Sequence, residues 1–256
     1  MRVTQMKNHG VAAAMEQHWW YRGRRVVTKW LVRRARATRG GRVLDFGCGT
    51  GHMGRVLAEF GDVIGVETAP DALALGSYDD YSQVVVASSF DDPAFPSGDF
   101  DLIALLDVLE HVEDDCAMLS GLSQRLSPSG FIVVSIPLWP ELFGDGDRAA
   151  GHFRRYTPAS FLECATNAGL EVAISTGYVV ALLPFARMQR RRVIEGAASA
   201  TEEFQVPWAP LNAGLSAIAM TEGFVGGAIG LPPGLSLVAI LKPSAHVKAE
   251  WPGRPA

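Results

Sequence analysis

Cysteine is scarce in this chain, and neither sign of charge dominates it. Three cysteines, Cys48, Cys116 and Cys164, are spread over 256 residues. They make neither a metal-ligand spacing nor a disulfide framework. That excludes a cysteine-stapled scaffold and fits a reducing compartment such as the cytoplasm. Lysine and arginine number 23 against 27 acids, a net charge of −4, which excludes a general polyanion-binding role. An uninterrupted membrane span is also missing: the apolar run Tyr178–Met188 is too short, and Pro207–Gly230 is Gly-rich and carries Glu222. Lys7, Asn8 and His9 interrupt the start of the chain before a signal-peptide core can form. No internal repeat is present. What is there is 48% hydrophobic residues, enough for a substantial core, in a chain sized for one α/β domain with an elaboration.

The chain is organised around Val43-Leu44-Asp45-Phe46-Gly47-Cys48-Gly49-Thr50-Gly51. An apolar run and Asp45 end a buried strand. Glycine at every second position then lets the backbone turn sharply and approach a ligand closely, because no Cβ intervenes. Gly54 to Phe60 follows with helical spacing, so the unit is strand, glycine loop, helix, as in nucleotide sites of α/β sheets. Glu67 closes a second apolar strand, Val63 to Val66, where a carboxylate can accept both hydroxyl hydrogens of a ribose. A rival reading takes Gly49, Gly51 and Gly54 as a dinucleotide fingerprint. The earlier glycine at Gly47, the preceding Asp45 and the long helical segment before the strand count against it. The Asp-x-Gly-x-Gly-x-Gly loop with Glu67 at its distance resembles the S-adenosylmethionine loop of class I methyltransferases. The resemblance implies cofactor contacts from Asp45, Gly47, Cys48, Gly49, Gly51 and Glu67.

Further strands are expected at Gln83–Ala87, Phe100–Leu106, Phe131–Pro137, Leu170–Thr176 and Leu235–Leu241, with Ser127–Gly130 as a turn. Thr157 reads as an N-cap with Pro158 at the first helical position. Ser89 and Phe90, at the end of the third strand, are placed to flank the adenine. Asp107 to Asp115, after the fourth strand, is similar to the corresponding segment of many small-molecule methyltransferases. It holds one histidine and five acids within nine residues. Most of those acids read as the solvated start of a helix, so no metal is expected. Asp107 is expected at the cofactor and His111 near the reaction.

Two more stretches extend the resemblance to a bacterial small-molecule subfamily. Glu16 to Arg25 contains His18, Trp19, Trp20 and Tyr21 beside arginines, a lid suited to a cationic cofactor. The resemblance implies that Trp20 covers the cofactor and that Arg24 or Arg25, with Arg24 preferred, reaches its carboxylate. Gly151-His152-Phe153-Arg154-Arg155-Tyr156-Thr157 is the subfamily's mark. The His-Asp pair that usually precedes it is reduced here to Gly146-Asp147, which argues against a two-histidine site. His152 is the first candidate base and His111 the second, with Arg154, Arg155 and Tyr156 keeping His152 neutral. Tyr156 and Asp147 are candidates to orient the acceptor.

The expected fold is α/β: a Rossmann-like seven-stranded, mostly parallel sheet with helices on both faces and a helical lid inserted before the last strand. Its parts are an N-terminal lid segment (1–40), the cofactor-binding core (41–177), the substrate lid (178–233), the last strand (234–243) and a tail (244–256). The expected function is methyl transfer from S-adenosylmethionine to a small, largely apolar acceptor, such as a secondary metabolite. Ring closure on the same scaffold, for example cyclopropanation with a sulfonium leaving group, is one alternative. A non-catalytic cofactor-binding module is another. Nucleic acid is not an expected partner, and membrane contact through Arg190–Arg192 is the weaker reading of residues 178–233.

Overall fold

Seven strands form one sheet. The computed structural model describes residues 14–35, 40–90, 92–194 and 206–244. The strands are β1 (Gly41–Phe46), β2 (Gly61–Glu67), β3 (Gln83–Val86), β4 (Phe100–Leu106), β5 (Leu126–Pro137), β6 (Leu170–Tyr178) and β7 (Ser236–Pro243). Their order is β3-β2-β1-β4-β5-β7-β6. β1 to β5 pair in parallel, and β7 runs antiparallel to both β5 and β6. The strand order reverses between β1 and β4, so a crevice opens at their carboxyl ends. Both faces of the central strands are covered. Leu102 to Leu105 and Ile132 to Val134 are therefore apolar without alternation, and all are fully buried.

The helices are α1 (Trp19–Arg34), α2 (Gly54–Leu57), α3 (Pro70–Leu73), α4 (Asp115–Ser123), α5 (Asp145–Ala150), α6 (Pro158–Asn167), α7 (Leu183–Ile194) and α8 (Ala209–Ile229). On one face, Leu119 and Leu122 of α4 and Phe161 of α6 pack on Leu44, Ile103 and Val134. On the other, Val27 and Leu31 of α1, Leu57 of α2 and Ala219 of α8 pack on Val43, Leu102 and Val133. The alternating sides of each strand thus feed two cores. Thr157 caps α6 by accepting from the Ser160 amide at 3.0 Å, with Pro158 behind it, as the sequence predicts.

The inserted segment packs closely along α1. A Cβ at Gly23 would overlap Ala219, and one at Gly227 would overlap Trp30. Small residues are needed where these two helices cross. Asn212 accepts from the Trp19 amide at 3.0 Å and donates to the Gln17 carbonyl at 2.9 Å, tying α8 to the start of α1. Glu222, the one charge in an apolar helix, accepts from the Val180 and Ala181 amides at 2.8 and 2.7 Å. No helix of the described residues is long and apolar enough to cross a membrane. The side chains of Arg190–Arg192, residues 1–13 and the tail beyond Ser244 lie outside the described residues.

Four expectations are corrected. Cys116 and Cys164 form a disulfide with Cα atoms 5.2 Å apart, because α4 and α6 lie side by side on one sheet face. Ser127 to Gly130 belongs to β5, which starts at Leu126 with a register irregularity against β4. β6 runs on to Tyr178, so the insertion begins after it. Glu110 and Asp115 are 1% and 6% exposed, so these acids are not a solvated helix start; Asp114 is the residue that caps α4.

Candidate functional site

The glycine loop leaves β1 at the switch point. Gly47, Gly49 and Gly51 all have positive φ, at 73°, 52° and 78°. The three positions differ in what surrounds them. A Cβ at Gly47 would overlap Val108, and one at Gly51 would overlap the Ser77 carbonyl oxygen. At Gly49 it would meet nothing nearer than the Gly47 carbonyl at 4.0 Å. The middle of the loop therefore presents bare backbone to open space. Asp45 accepts from the Tyr81 hydroxyl at 2.6 Å. Burial pushes its carboxyl up to about 6 although Tyr81 opposes this. Tyr78 donates to the Gly49 carbonyl and fixes the loop from below. Cys48 is buried in the loop and burial raises its thiol.

Glu67 ends β2 beside this loop. Its Oε2 accepts from the Gly49 amide at 2.9 Å, and its Oε1 accepts from Thr68 and Ala69 at 2.8 and 3.0 Å. Oε2 keeps capacity for one further donor, which suits a ribose hydroxyl. Asp107 follows β4 with φ 58° and accepts from the Ser135 hydroxyl at 2.7 Å. Arg24, 3% exposed, pairs with Asp107. Its guanidinium lies 5.3 Å from the Tyr21 ring centroid and 5.9 Å from that of Trp20, and its Nε is buried without a partner. Trp20 in turn accepts at its carbonyl from the Tyr178 hydroxyl, at 2.6 Å. Bare backbone, a carboxylate with a spare lone pair, and a buried unpaired guanidinium nitrogen fit an S-adenosyl ligand. Ser89 is exposed. Phe90 packs on Phe46 and Phe95 at the end of β3.

A second cluster occupies the loops after β4 and β5. The His111 and His152 rings meet edge to face, with centroids 4.6 Å apart. The loops after β4 and β5 thus bring His111 and His152 to one crevice from two sides; the histidine missing beside Asp147 is a different position. Burial and the neighbouring His152 lower the His111 pKa. Asp147 on α5 accepts from Arg155 Nε at 2.7 Å and from the Gly144 amide at 2.8 Å. His152 Nδ1 lies 2.9 Å from Oδ1 of Asp147, the oxygen that Arg155 also uses, while the Gly144 amide is on Oδ2. Burial alone would raise Asp147, but the bonds from His152 and Arg155 outweigh it and bring it down to about 2. An ionised carboxylate can only accept, so Nδ1 carries the hydrogen. In neutral His152 the Nε2 lone pair is then free.

The other residues of this segment have different partners from those expected. Arg154 Nη1 and the Tyr156 hydroxyl donate to the two oxygens of Asp115, at 2.9 and 2.6 Å. Tyr156 is 3% exposed and supports the segment from within the core. Glu110 is buried, with Oε2 unpaired and its pKa raised by burial and by the charge of Asp107. Ligand atoms of Glu110, His111 and His152 lie within 4.8 Å of one another, close enough for a cation. His52 is the residue the sequence least suggested. Both its ring nitrogens are buried without partners, it packs edge-on against Tyr21, and burial brings its pKa down to about 3. Tyr78, Tyr81 and Ser135 were also missed. Each acts through one hydrogen bond to a residue far away in sequence, which no local pattern marks.

Comparison with known proteins agrees with this geometry. Residues 19–174 match the methyltransferase domain family. A ubiquinone biosynthesis O-methyltransferase of Azorhizobium caulinodans is 33% identical over 109 residues, 41% of this chain and 43% of that protein. The Acinetobacter baumannii protein of the same name is 28% identical over 116 residues, covering 41% of this chain and 48% of its own length. The chain thus spans less than half the length of these relatives. Among solved structures, the putative sarcosine dimethylglycine methyltransferase from Galdieria sulphuraria aligns with TM-score 0.55 at 16% identity, covering 85% of both chains. The 4+2 cyclase SpnF aligns with TM-score 0.56 at 17% identity, covering 95% of this chain and 97% of its own. These two likenesses show a shared fold that hosts more than one chemistry. With the family's domain matched over residues 19–174, the chain belongs to the S-adenosylmethionine-dependent methyltransferase family.

Proposed function

We propose that this protein transfers a methyl group to a hydroxyl oxygen of a small, largely apolar acceptor, with His152 as the base. The observation that carries the reading is the Asp147–His152 pair facing His111 beside the crevice. S-adenosylmethionine supplies an electrophilic methyl carbon on a sulfonium. The chain's part is to place the acceptor oxygen in line with that carbon, exclude water and take the hydroxyl proton. Asp147 holds the His152 tautomer so that Nε2 accepts the proton, and the resulting imidazolium is stabilised by the same carboxylate. Glu67 holds the ribose and Arg24 the carboxylate of the cofactor. Trp20 and Tyr21 close over it.

Residues 179–233 serve as the acceptor lid in this reading. Support comes from both ends. Arg187 of α7 lies 4.6 Å over the Trp139 ring and bonds Glu141 at 3.3 Å, next to the loop after β5. Asn212 of α8 ties the other end to Trp19. Phe185, Met188 and Leu211 are exposed apolar side chains on this segment. The names of the curated relatives favour oxygen as the attacking atom. The test is incubation with methyl-labelled S-adenosylmethionine and a set of small phenols and catechols, read by product mass. A product in which one labelled methyl replaces one proton is expected. A rearranged product of unchanged mass, or cofactor binding with no turnover of any acceptor, would contradict the proposal.

A further inference from the structure

We propose that Cys116 and Cys164 are a reversible redox site whose state sets the rigidity of the segment carrying His152. The two cysteines stand 48 residues apart and join the first turn of α4 to α6. The segment Gly151–Thr157 runs between them and leads directly into α6. Two of its side-chain anchors end on Asp115, the residue before Cys116. Arg154 reaches Oδ1 at 2.9 Å and Tyr156 reaches Oδ2 at 2.6 Å. Arg154 also donates to the Glu113 carbonyl at 2.5 Å. The disulfide therefore clamps the helix end that holds Asp115 to the helix that the segment enters. Without the bond, the same hydrogen bonds have to hold the two helix ends together by themselves.

The chemistry of the cluster supports thiol exchange over metal binding. Ligand atoms of Asp115, Cys116 and Cys164 lie within 4.8 Å of one another. Both Asp115 oxygens, however, are already committed to Arg154 and Tyr156, one of them a cation. A cavity of about 450 Å³ lined by Cys116, Arg154, Tyr156 and Cys164 gives a reagent access. Reduction needs a dithiol. Its thiolate attacks one sulfur, the S–S bond breaks and a mixed disulfide forms. The second thiol of the reductant then displaces the cysteine. Two electrons and two protons reach Cys116 and Cys164, and the reductant leaves as its own disulfide. A small disulfide such as glutathione disulfide reverses this, leaving as two thiols. Cys48, buried in the cofactor loop with its thiol raised by burial, takes no part.

The inference does not depend on methyl transfer, and its test does not use it. The whole protein is equilibrated in glutathione redox buffers, and free thiols are counted by alkylation and mass after unfolding. One thiol is expected under oxidising conditions and three under reducing conditions. Amide hydrogen exchange of residues 151–157 is then expected to be about tenfold faster in the reduced form, with β1 and β2 unchanged. Cys164→Ser should exchange like the reduced form and ignore the buffer. Three thiols in every buffer would overturn the proposal. So would equal exchange of the segment in both forms, or a serine variant that exchanges like the oxidised protein. If Cys164→Ser does not fold, the comparison of the two wild-type forms still decides.

Discussion

The glycine loop and the His152 segment line the same carboxyl edge of one sheet, yet they are held differently. The loop is fixed mainly by backbone: three positive-φ glycines, and a Glu67 that accepts from three main-chain amides. The segment has backbone bonds too, Phe153 N to the Glu110 carbonyl at 2.7 Å and Tyr156 N to the Pro137 carbonyl at 2.9 Å, but it adds side-chain anchors from separate elements, with Asp147 and Asp115 each collecting two partners from it. The carboxyls at the two ends also have opposite electrostatics. Asp45 is pushed up to about 6 by burial, so its charge costs stability. Asp147 is brought down to about 2 by its donors, so its charge adds stability. A backbone-built site binds one constant ligand. A side-chain-built site can be retuned for different acceptors by changing single residues.

The largest expected effect on the cofactor end comes from Gly51→Ala. The new Cβ would be forced into a positive-φ backbone and against the Ser77 carbonyl. A cost of about 3 kcal/mol, about a hundredfold in affinity, is expected for S-adenosylhomocysteine by calorimetric titration. Affinity within a few-fold of the wild type would show that the loop is not the cofactor's cradle. Glu67→Ala should cost about 2 kcal/mol in the same titration, since it removes a charged acceptor from the ribose and from three amides. An unchanged dissociation constant would remove Glu67 from the site.

The electrostatic contrast can be broken by pH. For Asp147 the folded pKa lies below the ordinary value of 3.8, at about 2. Its contribution, about 2 kcal/mol, is present above pH 4 and is lost as pH falls through 2. For Asp45 the folded pKa lies above the ordinary value. Its favourable contribution exists in acid and is lost as pH rises through about 6. At pH 8, Asp147→Asn should therefore destabilise the protein and Asp45→Asn should not. Urea unfolding of both variants at pH 5 and pH 8 checks the signs, and destabilisation of equal size in both would refute the contrast. The smallest expected effect is at the start of α6. Thr157→Ala should cost about 1 kcal/mol of unfolding free energy through the lost cap and leave cofactor affinity unchanged.

The same contrast explains what could be read from the sequence. Asp45 to Gly51, Glu67 and the buried strand runs carry local patterns, because a tight turn demands glycine and a covered strand demands apolar residues. The sheet and the glycine loop were legible for that reason, as was the Thr157 cap. The placement of Asp115 under Arg154 and Tyr156 and the Cys116–Cys164 bond depend on elements converging from distant positions, whereas the approach of His111 to His152 follows from the strand order. Asp147 and His152 were each singled out, but not as partners of one another. The arginines beside His152 were read as its electrostatic neighbours; in the fold Arg154 turns to Asp115, while Arg155 shares Asp147 with the histidine.

The most direct test of the central claim is the single-turnover rate of methyl transfer by His152→Gln at saturating acceptor, with cofactor already bound. Glutamine keeps bulk and hydrogen-bonding capacity but cannot take a proton. The account predicts a rate lower by about 10²–10⁴-fold, with cofactor affinity and unfolding midpoint close to wild type. A rate equal to wild type would contradict it and leave the Asp147–His152 pair as a structural support.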